Sequence, residues 1–252
     1  MSGNSKKFQK KTRSNIGSED LDEYHDEAVD LLDGSQYKKA LVIFNKILSI
    51  NPNDAHNWYH KGQTLYELRK YEQALTCLNK SLNINRNDLD VLLWKAYVLG
   101  DLHRHKEAIN LYDKILKHNP EDKTTRIDAL INKSDELLKI DKAREALETT
   151  KKAIEIDPKE VDAWYNRGEA LMKLGYTSKA LLAFEKALKI DPKDDESWYM
   201  KARCLSVLRK EDEAIDALLI ATSIEPLNKN GIKKEDDFIP LRQSRRFKSL
   251  KK

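Results

Sequence analysis

Apolar residues recur along this chain at helical spacing, in a unit that returns every 34 residues. The stretch 161–194, VDAWYNRGEALMKLGYTSKALLAFEKALKIDPKD, shows it best: Trp164, Gly168 and Leu171 share one face, and Ala180, Phe184 and Ala187 share another. Spacings of four and three belong to an α-helix, so each trio makes a stripe and the stretch reads as two helices. Gly175 lies between the stripes and suits the end of the first helix, because glycine enters the left-handed conformation without steric cost.

Five of the six prolines fall on the same ruler, with intervals of 68, 38, 34 and 34 residues from Pro52 through Pro120, Pro158 and Pro192 to Pro226. Proline cannot donate the backbone hydrogen bond of a helix interior, so each marks a break between units. Alignment on these marks gives six windows: 21–54, 55–88, 89–122, 127–160, 161–194 and 195–228. Arg86 stands where a proline is expected, which predicts a less sharply broken junction there. Residues 123–126 are left over and amount to about one helical turn. They either extend the first helix of the fourth window or form a longer loop that acts as a hinge.

Each window opens on a large residue, Tyr24, Trp58, Leu92, Leu130, Trp164 or Trp198, followed four positions later by Ala28, Gly62, Ala96, Ser134, Gly168 or Ala202. The second helix carries alanine at one phase throughout: Ala40, Ala74, Ala108, Ala146, Ala180 and Ala214. Two helices crossing closely leave no room for a branched side chain at that point. This pattern over about 208 residues resembles the tetratricopeptide repeat. The resemblance implies an all-α fold, a right-handed α-solenoid or superhelix of stacked antiparallel helix pairs. After residue 228, the segment 229–252 resembles the capping end of such arrays, with Phe238, Leu241, Phe247 and Leu250 as anchors over the last exposed face.

Composition agrees with helix nearly throughout, since 8 Gly and 6 Pro are too few for a chain of strands and tight turns. No stretch has the roughly 18 apolar residues that cross a bilayer, and the N-terminus lacks a secretory segment, so a cytoplasmic protein without a membrane is expected. Cys77 and Cys204 lie in apolar-periodic segments and read as two buried free thiols. Charge divides the chain unevenly: residues 1–20 carry +3, residues 229–252 carry +6, and the middle carries −5.

In tetratricopeptide families the first helices line a concave groove, and carrying that over by position nominates Tyr59, His60, Gln63 and Tyr66, then Trp94 and Tyr97. Further along it nominates Asn132, Asp135, Tyr165, Asn166, Glu169, Tyr199 and Arg203. Aromatic residues offer much contact area with few rotatable bonds, which suits peptide recognition. The same rings can instead fill space between adjacent first helices. Two positions before each opener stand Asp22, His56, Asp90, Asp128, Asp162 and Glu196. Acids there can cap the helix start, yet with Asp26, Asp33, Glu67, Asp101, Asp135 and Glu169 they also make an acidic lining. The partner expected is a basic or amphipathic segment of another protein. Chaperone-binding relatives hold a terminal carboxylate with lysines, asparagines and an arginine; Asn166 matches one such position, but Ile131, Asp135, Glu196 and Met200 surround it in phase. A carboxylate clamp is therefore not expected.

No phosphate loop, zinc-spaced cysteine pair or nucleophile motif is present, so no cofactor and no catalysis are expected. His56 and His60 have the i, i+4 spacing of two ligands on one helix face, but without an evident third ligand they read as ordinary groove polarity and no metal is expected. The basic N-terminal tail, 1–20, with Lys6, Lys7, Lys10, Lys11, Arg13 and Phe8, reads as a disordered solubility segment. It could also attach to nucleic acid, the alternative to a protein-binding scaffold, or dock in the groove of its own array. Self-association through the free face of the first repeat is possible.

Overall fold

The computed structural model describes residues 18–118, 121–225 and 236–249. The basic tail through residue 17 with Phe8, Pro120, Pro226, residues 227–235 and Leu250 lie outside the described residues. Twelve long helices succeed one another among the described residues: α1 (Ser18–Asp33), α2 (Tyr37–Ile50), α3 (Ala55–Glu67), α4 (Tyr71–Ile84), α5 (Leu89–Asp101), α6 (His105–Lys117), α7 (Lys123–Lys139), α8 (Ala143–Ile156), α9 (Val161–Lys173), α10 (Thr177–Ile190), α11 (Asp195–Val207) and α12 (Glu211–Ile224). A 3₁₀ segment (Asp236–Gln243) and a short helix (Arg245–Ser249) complete the described chain, and no strand occurs among the described residues. The chain forms two compact units, residues 1–111 and 112–252. Within each, consecutive helices stack in pairs, as an α-solenoid requires.

Every helix pair closes through the same three-residue turn, and the middle residue of each has positive φ: Ser35, Arg69, His103, Asp141, Gly175 and Arg209. The amide after it bonds back five residues, as from Gln36 to Leu31, Lys70 to Leu65 and Tyr176 to Leu171, at 2.7 to 2.9 Å. This pattern satisfies carbonyls that a helix end leaves open. Gly175 is the only glycine among the six, so the bonding pattern of the turn holds five other residues in the left-handed region at some cost.

Between pairs, the residue before the proline does the work that the proline mark suggested. Asn51, Asp157 and Asp191 leave the helix in an extended conformation and accept, through their side chains, from the amides of Asn53, Lys159 and Lys193 at 3.3, 2.9 and 2.8 Å. The expectation of a blunter break at Arg86 is not met. Asn85 ends α4 at φ −119° and ψ 94°, like its counterparts, and its side-chain amide donates to Asp88, the N-cap of α5, at 3.1 Å. The four surplus residues lengthen α7 to 17 residues, against 13 for α3, α5, α9 and α11, so they extend the helix and make no hinge loop.

The six alanines of the second helices are all fully buried, as the close crossing demands. Cys77 and Cys204 are buried free thiols, and burial pushes Cys204 up to about 12. At the end of the array Phe238, Leu241 and Phe247 close over Ala202, Leu205, Ala214, Ile215 and Leu218. Polar contacts pin this cap: Arg203 pairs with Asp237 at 2.7 Å, and Arg246 reaches Asp212 and Asp216.

Candidate functional site

The N-terminal unit brings six of the nominated residues onto α3 and α5. Asp54 and Asp88 start these helices by accepting from the amides of Asn57 and Val91 at 3.0 and 3.2 Å, which fixes the rotational phase of each helix. Gln63 donates to the Tyr59 hydroxyl at 2.9 Å, one turn back, and its carbonyl meets His60 Nδ1 at 2.7 Å. Trp94 packs edge-on to both Tyr66 and Tyr97, with centroids 5.5 and 5.9 Å apart. The four rings are half-buried, so they both fill the seam between α3 and α5 and present a face to solvent. Burial, then the nearby carboxylates Asp90 and Asp88, pushes the Tyr59 hydroxyl up to about 12. Tyr66 rises for the same first reason and through its hydrogen bond to Asp101. Beside Trp94 lies a cleft of about 440 Å³, walled by Val29, Leu32 and His60 and edged by Asp33 and Glu67.

Spacing alone could not show that α1 brings His25 against His56 and His60, with one ring nitrogen of each within 4.8 Å of the others. The reading of the pair as lacking a third ligand is corrected by this packing. Burial, chiefly, lowers His60 to about 4 and keeps its ring neutral.

In the C-terminal unit the nominated residues divide by task. Asn166 is buried, and its amide donates to Ser134 Oγ at 2.9 Å and the Ile131 carbonyl at 3.2 Å, so it joins α9 to α7. Arg203 is paired with Asp237 of the cap, and Tyr199 meets Phe238 edge-on at 5.6 Å. Tyr165 packs edge-on to Phe184 at 5.7 Å. Asn132 donates to the Asp128 carbonyl in its own helix, and Asp135 pairs with Lys139 at 2.7 Å. Glu169 is half-buried, and its carboxyl is pushed up by burial and then by Asp135. Asp128, Asp162 and Glu196 are raised likewise, each by burial first and then by neighbouring acids: Asp122, Asp194, and Asp194 with Asp195 and Asp162. Glu196 and Asp162 repel each other, whereas Lys173 and Arg203 offset part of the charge around Glu169.

The acidic column is not where the helices are capped. Asp54, Asp88 and Asp122 hold the caps, while Asp90, Asp162 and Glu196 sit in the first turn beyond the cap position, and Asp128 stands deeper in the lengthened α7. The column is thus largely surplus charge, favourable to the helix dipole but not consumed by capping.

Two features escaped the sequence. Trp58, Trp164 and Trp198 each donate Nε1–H to the carbonyl of the proline six residues earlier, Pro52, Pro158 and Pro192, all at 2.9 Å. Tryptophan and proline are therefore one device; Leu92 comes after Arg86, where both are missing. A second cleft of about 470 Å³ lies between Trp164 and Leu182, lined by Arg167, Lys179, Lys186 and Lys189. Helical spacing, which sets Lys179, Leu182, Lys186 and Lys189 three, four and three apart on one face of α10, could have shown that cluster.

Comparison with known families matches residues 23–115 to anaphase-promoting complex, cyclosome, subunit 3. Three tetratricopeptide-repeat models match residues 135–175, 161–194 and 183–216. No curated protein sequence matches. Among solved structures, pilF of Pseudomonas aeruginosa is similar at TM-score 0.69 and 18% identity, over 86% of this chain and 96% of that one. MamA of Desulfovibrio magneticus RS-1 is similar at 0.59 and 24%, over 68% and 94%. YrrB, described as a TPR protein with an unusual peptide-binding site, is similar at 0.55 and 22%, over 73% and 92%. Identities this low speak for the fold alone, but helix pairs, turns, crossing alanines and family matches coincide along the array, and the chain belongs to the tetratricopeptide-repeat family.

Proposed function

We propose that this protein is a non-catalytic scaffold that binds a basic or amphipathic segment of another protein on the first-helix face of its repeats. Repeats of this family serve in general as protein-interaction scaffolds. The observation that carries the finer reading is Trp94, edge-on to both Tyr66 and Tyr97, with all three rings half-exposed and Trp94 lining a cleft that has Asp33 and Glu67 at its rim. Rings held by their neighbours lose little freedom on binding, and the acids favour a cationic side chain beside them. In the C-terminal unit the carboxylates Asp128, Asp162 and Glu196, each raised by burial and by an acidic neighbour, gain from a lysine or arginine that supplies counter-charge.

The peptide-binding description of YrrB agrees with this reading. The use of Asn166 within the stack supports a partner other than a chaperone tail, because the one residue in a clamp position already has its donors engaged. The basic N-terminal tail through residue 17 lies outside the described residues, Arg246 of the C-terminal segment is paired with Asp212 and Asp216, and nothing favours the nucleic-acid alternative.

Fluorescence anisotropy with a lysine-rich amphipathic peptide and an acidic counterpart tests the proposal. The basic peptide should bind, and Trp94→Ala should weaken it about tenfold or more, as a central aromatic contact does. Equal binding of the acidic peptide, or affinity untouched by Trp94→Ala in a chain of unchanged helicity, would refute it.

A further inference from the structure

Three imidazoles meet where α1 packs on α3. The rings of His25, His56 and His60 stand with centroids 4.6, 4.9 and 5.3 Å apart. The Nε2 atoms of His56 and His60 are separated by 3.2 Å. Two nitrogens bound tetrahedrally to zinc at about 2.0–2.1 Å stand about 3.3 Å apart, so this pair is already at ligand spacing. The third ring stands close by, with one nitrogen of each imidazole within 4.8 Å of the others.

The surroundings decide which nitrogens are available. Asp54 accepts from the Asn57 backbone with one oxygen, and from Asn57 Nδ2 with the other at 2.9 Å. An ionised carboxylate only accepts, so the Asn57 amide is oriented and turns its carbonyl to His25 Nδ1 at 3.0 Å. That contact puts the His25 proton on Nδ1 and leaves Nε2 with its lone pair. Gln63 acts on His60 in the same way: it donates to Tyr59 and accepts from Nδ1–H, and the lone pair again falls on Nε2. Outer partners of this kind fix the tautomer and strengthen the ligand. Asn57 is itself buried, at 4% exposure, so this support is built into the repeat junction. His56 is exposed and gives solvent access, while Phe44 lies parallel to the His60 ring at 6.1 Å and walls the inner side.

We propose that His25, His56 and His60 bind one divalent cation of the zinc class through their Nε2 atoms, joining the first repeat to the second. Three neutral imidazoles suit Zn²⁺, with Cu²⁺ the stronger competitor by intrinsic affinity and hard cations such as Mg²⁺ excluded by ligand type. The donor set leaves a fourth tetrahedral position for water or for a side chain brought by another molecule. Ligands come from α1 and α3 together, so the bound cation opposes separation of the two repeats.

The test uses the full-length, tag-free chain, stripped with a chelator and titrated with Zn²⁺ against a chromophoric competitor. One zinc per chain should bind, the melting temperature should rise with zinc, and Co²⁺ in its place should give the visible absorption of a tetrahedral site. His25→Asn and His56→Asn should each abolish stoichiometric binding, and Asn57→Leu should weaken it about 10- to 100-fold by removing the outer partner of His25. His103 and His105 stand 5.7 Å apart by ring centroid in the same unit, and their joint replacement by Asn should leave binding intact. The proposal is overturned if the wild-type chain fails to compete for zinc, if binding survives in the folded His25→Asn and His56→Asn variants, or if it disappears in the His103/His105 control.

Discussion

Gly168→Ala isolates how closely the two helices of a repeat approach. A β-carbon at this position would lie 2.5 Å from both Cε1 and Cζ of Phe184 and 2.9 Å from Cδ1. Carbon atoms pack best at about 3.5–4.0 Å, so the ring must retreat by about 1 Å or the helices must part. Phe184 has no exposed surface, and Leu171, Ala180, Ala183, Met200 and Cys204 enclose it, with Tyr165 against its edge. Overpacking of this kind costs about 1–3 kcal/mol. Alanine in place of a helical glycine returns about 1 kcal/mol, leaving a net loss of about 0–2 kcal/mol.

The next repeat supplies the control. Ala202 and Leu218 occupy the same two positions there, both fully buried. Phe184→Leu combined with Gly168→Ala reproduces that pair and should relieve the clash, giving a favourable coupling of about 1–3 kcal/mol between the two sites. Denaturant unfolding of the wild type, both single variants and the double variant measures the cycle. The first repeat carries Ala28 opposite Phe44, so the pairing itself is permitted, and the clash belongs to the separation of α9 and α10. A Gly168→Ala chain more stable than wild type, or a coupling indistinguishable from zero, would show that the helices simply part and that the close approach determines nothing.

Gly175→Ala probes the turn in place of the packing. Nothing lies within 4 Å of the added carbon, yet φ is +78°, so the variant should lose about 1 kcal/mol from backbone conformation alone, seen as a lower denaturation midpoint. An unchanged midpoint refutes that account. Glu169→Gln tests the acidic face. Because burial and Asp135 raise the Glu169 pKa, the folded chain holds that proton more tightly than the unfolded one, and ionisation removes stability as pH rises from the ordinary carboxylate range through the raised value. The Gln variant should melt at or above the wild-type temperature at neutral pH, with its advantage shrinking on acidification below the raised value; an advantage that grows on acidification would refute it.

Much of this architecture was legible because each repeat repeats its own physics. The alanine phase marked six crossings, and all six are buried. Gly175 marked a left-handed turn, but Ser35, Arg69, His103, Asp141 and Arg209 adopt the same conformation without a sequence signal, because the closing hydrogen bonds impose it. The site was legible as a face and not as a division of labour. Tyr66, Trp94 and Tyr97 lie together as the spacing required, whereas Asn166 and Arg203, equally well placed by spacing, have partners 32 or more residues away.

The order of helices, the position of their breaks, the crossing residues and the acidic excess come from the sequence by itself, since each depends on residue type within a turn or two of helix. What neighbours touch across repeats belongs to the tertiary structure. Stacking set Asn166 into the α7–α9 seam, put Arg203 under the cap and carried His25 to His56 and His60. No local pattern encodes those contacts, because their geometry depends on how one repeat is rotated against the next.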